Sequence, residues 1–327
     1  MPRSGRWGQN EMSSVASGVR TPERVEWPTV GLALVMVGGL VALTWWHAAL
    51  PWFVLLPLGA YLGAWYSSLQ HEIVHGHPTP SPLVNTAIAS LPVLLWLPFG
   101  IYRATHLAHH ADEHLTDPLD DPESYYVTAA TWRRLPGWRR RLLLARNSLL
   151  GRLTLGSVQV VLAFLVDQAR ALVAHAPGVR RAWLAHAAGL ILWLGWLALV
   201  QMPLWQYVLL VAWPATSLML VRSFLEHQAR PAVDQRTVIV EAGPLMRLLY
   251  LNNNLHLVHH AKPGLPWYLL PEAYARDRAG WLRRNGGYVF EGGYAEILRR
   301  YALRAKEPPV HPFADDRARE TAPAAAY

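Results

Sequence analysis

The stretch LQHEIVHGHP, Leu69 to Pro78, closes an apolar run that begins at Thr29. It contains His71-Glu72-Ile73-Val74-His75, the HExxH spacing by which a zinc protease sets two metal ligands and a general base on one helix. The run before it carries no Lys or Arg from residue 29 to residue 70, and a second such run covers residues 182–221. Each is about 40 residues long, enough for two membrane crossings of about 20 residues. Uncharged turns, His47-Ala48-Ala49-Leu50-Pro51 and Val200-Gln201-Met202-Pro203, divide them. The pattern predicts transmembrane helices near 29–47, 52–70, 183–200 and 204–222, paired as two hairpins. Trp45, Trp46, Trp52 and Trp205 fall at the turns, where interfacial aromatics belong.

Composition agrees with a membrane chain. Of the 327 residues 52% are hydrophobic and 16% charged, against about a quarter charged in a soluble domain. Cysteine is missing, which removes disulfides, thiolate metal sites and iron–sulfur clusters, so any metal must be held by nitrogen or oxygen. The net charge of +8 lies outside the two uncharged blocks. Two hairpins put all of it on one side, the cytoplasmic side by the positive-inside rule. Basicity is therefore topological, and nucleic-acid binding is set aside. The expected location is a bacterial inner membrane, with both termini and the histidine clusters cytoplasmic.

Residues 1–26 and 306–327 read as disordered tails on either side of a membrane domain, 27–305. Gly59 and Gly63, four apart, predict close helix packing. Residues 83–102 contain Pro92 and Pro98, and residues 153–166 offer only 14 uncharged positions. Both read as interfacial or shallowly re-entrant rather than spanning. TWRRLPGWRRRLLLAR, Thr131 to Arg146, has the basic, Trp-bearing character that suits anionic headgroups. The fold class expected is an all-α integral membrane protein, with four transmembrane helices in two hairpins, interfacial helices, and a cytosolic histidine-rich di-metal cap.

Ten of the 15 histidines fall in four places. These are His71, His75 and His77; His106, His109 and His110 in HLAHH; His227 in RSFLEHQ; and His256, His259 and His260 in HLVHH. All lie at or just beyond a cytoplasmic helix end of a topology that was deduced from charge alone. Side chains at i, i+3 and i+4 share a helix face, so each box can converge on a metal. A catalytic zinc takes three protein ligands and would leave both HxxHH clusters idle. Eight box histidines, with His227 as a ninth, suffice for two metals. Glu72 then reads as a partner that orients an imidazole rather than as a peptidase base.

HEIVHGH, HLAHH and HLVHH, in that order between two pairs of membrane helices, resemble the three histidine boxes of the integral-membrane fatty acid desaturase/hydroxylase superfamily. Its relatives include carotenoid ketolases and alkane monooxygenases. The resemblance covers about residues 30–275, and LQHEIVHGHPT and IYRATHLAHHADEHLTDPLDDPE are its most specific stretches. It implies two iron ions without haem at the cytosolic face, dioxygen as oxidant, and an external electron donor. The HPGG motif of a fused cytochrome b5 domain is missing, so a separate protein such as ferredoxin with its reductase is expected. The family often adds a histidine between the second and third boxes, where His227 stands.

The implied metal ligands are His71, His75, His106, His109, His110, His227, His256, His259 and His260, with His77 a possible addition. Glu72, Asp112, Asp117 and Asn253 are candidate partners of the ligands. One or two of the acidic run Asp112, Glu113, Asp117, Asp120, Asp121 and Glu123 are expected to accept imidazole N–H groups. The leading functional expectation is an oxygen-dependent desaturase of a fatty acyl lipid or thioester. The alternative on the same site is a hydroxylase or ketolase of a carotenoid, alkane or other lipid. A membrane metal-binding or transport protein is a third reading. A transporter should carry polar ligands at the midplane, whereas residues 29–70 and 182–221 contain no Asp, Glu, Lys or Arg.

Overall fold

The computed structural model describes residue 19 and residues 21–111 and 115–314. Helix α1, Trp27–Trp45, starts with Pro28 in its first turn, where a missing N–H costs no hydrogen bond. A single 3-10 turn, His47–Ala49, leads to α2, Trp52–Val74. α2 runs on past its apolar section and carries the first histidine box on its last turn. The second hairpin is α8, Val179–Leu199, and α9, Leu204–Glu226. His47 joins the two hairpin turns at the end far from the boxes, with Nδ1 3.0 Å from Gln206 Oε1 and Nε2 3.2 Å from the Val200 carbonyl.

The close approach of α2 and α9 has a local cause. Pro214 cannot donate to the carbonyl of Leu210, four residues back, and a π-helical turn, Val208–Ala212, takes up the mismatch. Gly59 packs against that freed carbonyl. A Cβ at position 59 would lie 2.4 Å from it, and one at Gly63 would lie 2.6 Å from Ala215 Cβ. The two glycines thus let α2 sit directly on α9, bringing the first box beside His227.

Residues 82–111 do not cross. Helix α3, Pro82–Ala89, capped by Ser81, is followed by a descending turn and by α4, Phe99–Ala111. The turn is held inside the bundle, where the Tyr66 hydroxyl donates to the Ile88 carbonyl and the Tyr207 hydroxyl to the Val93 carbonyl. It then returns, so the second box ends on the same side as the first.

One helix is longer than the sequence suggests. Residues 153–166 lie inside a 25-residue helix, α7, Leu149–Val173, which is long and apolar enough to cross a membrane. The 14 uncharged positions understated it because the count stops at Arg152, which turns inward and is buried. α1, α8 and α9 meet the same criterion of length and composition, whereas α2 does not; Tyr61, Trp65, Tyr66, Ser67 and Ser68 make its middle less apolar. Both ends of α7 are nevertheless attached on the histidine side. Leu149 packs with Phe224 and Leu225 at the end of α9, and Gln168 accepts from the Trp183 indole near the start of α8. A helix about 37 Å long with both ends so attached lies along that face.

The remaining elements form the cap. α5, Ala129–Arg134, and α6, Gly137–Ala145, precede α7. After α9 come β1, Ile239–Val240, α10, Pro244–Leu249, and α11, His256–Ala261, which carries the third box. α12, Leu270–Arg276, and α13, Arg278–Arg284, lead to β2, Val289–Phe290, which pairs in parallel with β1, and then to α14, Gly293–Tyr301. Asn254 hydrogen-bonds both ways with the Val240 backbone, tying the third box to this short sheet.

The tails are shorter than the sequence suggests. Glu26, assigned to the N-terminal tail, is buried, and its carboxylate accepts from His77 Nδ1 at 2.8 Å. Lys306 to His311, assigned to the C-terminal tail, pack against the cap. Val127 donates to the Pro309 carbonyl, and His311 donates back to the Val127 carbonyl.

Candidate metal centre

Nine histidines converge beneath the cap in two groups, and within each group one nitrogen per ring lies within 4.8 Å of all the others. His71, His75, His106, His110 and His259 form the first. His109, His227, His256 and His260 form the second. These are the nine singled out from sequence.

Their distribution follows from helix geometry and corrects the expectation that each box converges on one metal. Successive helical residues point about 100° apart, whereas i and i+4 nearly coincide. His106 and His110 therefore enter the first group while His109 enters the second. In the third box the assignment is reversed, with His256 and His260 in the second group and His259 in the first. His71 and His75, an i, i+4 pair on α2, complete the first group, and His227, just past α9, completes the second.

Hydrogen bonds at the outer nitrogens fix which nitrogen faces inward. His109 Nδ1 is 2.8 Å from Asp121 Oδ1, His106 Nδ1 is 2.9 Å from Glu123 Oε1, and His256 Nδ1 is 3.0 Å from Asn253 Oδ1. An acceptor at Nδ1 places a proton there and, in the neutral ring, leaves an Nε2 lone pair pointing into the group. His109 and His256 Nε2 lie 3.0 and 3.2 Å from His227 Nε2, His260 Nε2 lies 3.1 Å from His256 Nε2, and His259 Nε2 lies 3.2 Å from His110 Nε2. His75 and His106 Nε2 are buried with no hydrogen-bond partner among the described residues. Lone pairs crowded in this way repel one another unless a cation lies between them, so the donor set fits a metal ion in each group. Imidazole nitrogen in this number suits iron, zinc, copper or nickel.

The electrostatics of the metal-free protein separate the two groups. Burial, followed by repulsion from neighbouring imidazoles, holds His110, His256, His259 and His260 well below the ordinary histidine range. Burial also acts against a charge on His109, but Glu123 and Asp121 outweigh it and raise its pKa to about 9. Glu123, whose side chain is 29% exposed, has desolvation acting against its charge but is drawn down to about 2 by His106 and His109. A metal entering the second group must therefore displace a proton from His109 below about pH 9, while the first group is already deprotonated. We expect the affinity of the second metal to fall about tenfold per pH unit from pH 9 to pH 7, and that of the first to stay level. Titrations of the metal-free protein with Co2+ across that range measure both; two equally flat profiles would contradict the assignment.

The other candidates fall as follows. His77 joins neither group; its Nδ1 faces Glu26, and its Nε2 lies 3.9 Å from Glu72 Oε1. Glu72 accepts from the Trp267 backbone N–H at 2.7 Å and so ties α2 to the cap instead of orienting a box imidazole. Asp117 accepts from the Leu119 and Asp120 backbones. Asp112 lies outside the described residues, as do Glu113 and His114. Asn253 stands against His256, as its proposed role requires. Asp121 and Glu123 were visible only as members of an acidic run, since nothing in their spacing marks which of the six reach an imidazole. Glu226, 3.5 Å from His256 Nδ1 and 2.7 Å from Arg222 Nε, was missed. Its one signal was Arg222 and Glu226, the first charges after 40 uncharged residues, set at i, i+4.

Two buried imidazole groups at one end of a bundle of apolar helices define a membrane-embedded di-metal protein of the histidine-box class. The fatty acid desaturase family matches residues 26–292, and the chain belongs to that family. No curated protein matches the sequence. Family membership makes the protein a membrane oxidoreductase, with a lipid substrate and dioxygen as its reactants.

Proposed function

We propose that the protein is a di-iron desaturase that introduces a double bond into a fatty acyl chain. His71, His75, His106, His110 and His259 would hold one iron, and His109, His227, His256 and His260 the other. The observation that carries this reading is the reciprocal sharing of the two HxxHH boxes between two buried, cation-ready groups. Bound iron would supply the activation of dioxygen needed to remove hydrogen from an unactivated C–H bond. The chain's own residues do the rest. Asp121, Glu123 and Asn253 keep the imidazole protons on Nδ1, and the apolar helices exclude water from the acyl chain. Electrons would come from a separate protein such as ferredoxin, and the metal-bearing cap would face the cytoplasm of a bacterial cell.

The test is made on the intact chain. Protein purified from cells supplied with iron should contain two irons per chain, and the lipids of those cells should gain double bonds only when oxygen is present. Two irons with hydroxyl or keto lipids would transfer the assignment to a hydroxylase or ketolase. One zinc per chain, with lipids unchanged by oxygen, would overturn it.

A further inference from the structure

We propose that the C-terminal segment Lys306–His311 is a strap that positions His227 and His109, and so controls whether the second histidine group can hold its metal. The proposal rests on the two-metal reading above, and the segment lies beyond the residues that match the family.

His227 and the loop that orients His109 come from distant parts of the chain, and the strap ties one to the other. The Lys306 side chain is 4% exposed. Its ammonium donates to the backbone carbonyl of His227 at 2.6 Å and to the Tyr288 hydroxyl at 3.0 Å. Glu307 accepts from the Tyr126 hydroxyl, from the Tyr125 hydroxyl at 3.1 Å and from the Ala229 backbone at 3.3 Å. The same Tyr125 hydroxyl also lies 3.1 Å from the His227 carbonyl, so its one proton is shared between the two acceptors. Two adjacent side chains of the strap thus grip residues 227 and 229 on one side and 125 and 126 on the other.

The second tie runs through His311. Its Nε2 is 3.0 Å from the Thr116 hydroxyl, and the Thr116 backbone N–H donates to Asp121 Oδ2 at 2.8 Å. Asp121 Oδ1 is the partner of His109 Nδ1. Both routes end on histidines of the second group. In the first group the strapped loop meets His106, through Glu123; His71 and His75 are set by α2, and His110 and His259 by α4 and α11. A lysine whose side chain is 4% exposed beside a glutamate whose side chain is 15% exposed would be costly as mere packing, which favours a role that needs their hydrogen bonds.

The experiment is a Co2+ titration of the metal-free, full-length protein in detergent, followed by visible absorption, for the wild type, Glu307→Gln, Lys306→Met and Lys306→Arg. The wild type should take up two equivalents. In Glu307→Gln and Lys306→Met the first equivalent should bind as before, while the second should bind about 10- to 100-fold more weakly, the usual effect of losing a group that orients a ligand. Lys306→Arg, which retains a donor, should recover most of the second equivalent. A second equivalent within twofold of the wild type in Glu307→Gln would overturn the proposal, and so would equal weakening of both equivalents. Should Lys306→Met fail to fold, the nearly isosteric Glu307→Gln decides by the same criterion. A wild type that binds a single equivalent would overturn the two-metal reading itself, and the strap's role would fall with it.

Discussion

Replacing Arg222 with methionine is expected to destabilise the protein by about 3–5 kcal/mol. Arg222 and Glu226 are one helical turn apart at the end of α9, with Nε to Oε1 at 2.7 Å and both side chains 7% exposed. Without the guanidinium, Glu226 would rely on the Asn253 amide at 3.3 Å, with His256 Nδ1 3.5 Å away. An unpaired charge buried beneath the metal groups has no solvent to turn to. The double variant Arg222→Met, Glu226→Gln removes both charges and should recover most of the loss, because neutralising a buried pair is far milder than breaking it. Unfolding in detergent, compared across the four members of this cycle, measures the coupling. Additive single effects would show that the pair is not energetically linked.

The second large effect is expected at Asp121, whose side chain is 2% exposed. One oxygen accepts from His109 Nδ1 and from the Glu123 backbone at 2.9 Å, and the other accepts from the Thr116 backbone at 2.8 Å. Asp121→Asn preserves the shape but replaces one acceptor with an NH2 group. Whichever way the amide turns, a donor meets a donor: either Thr116 loses its acceptor, or His109 and Glu123 lose theirs. His109 also loses the carboxylate that holds its proton on Nδ1. We expect the second metal to bind about 10- to 100-fold more weakly, with the rate of oxygen-dependent lipid oxidation falling alongside its occupancy, while the first metal is retained. A metal titration indistinguishable from the wild type would rule out this role for Asp121.

Much of the site could be read from sequence because helical spacing is a local property. Histidines at i, i+3 and i+4 declare a common helix, and gaps in Lys and Arg declare the membrane segments that align the helix ends. The division of each box between two groups was not legible, since it depends on how α4 and α11 are rotated toward one another. Lys306 and Glu307 were hidden for a different reason. They open a Pro- and Ala-rich stretch whose composition reads as disorder, and most of the side-chain hydrogen bonds that hold them reach partners more than 75 residues away in sequence, Tyr125, Tyr126, His227 and Ala229. The length of helix α7 was underestimated because the run of uncharged positions stops at Arg152, which is turned into the protein.

The exchange of histidines between the two boxes also bears on tolerance to movement. His109 and His110 are covalent neighbours in different groups, and so are His259 and His260. Each box helix therefore acts as a ruler laid across the centre, with its graduations fixed by the peptide backbone. A slide or roll of either helix would disturb both groups at once and could not be absorbed by adjusting one. Natural variation in lipid preference should accordingly collect in the re-entrant turn between α3 and α4 and along the membrane helices, where the shape of the lipid path can change without shifting the ruler.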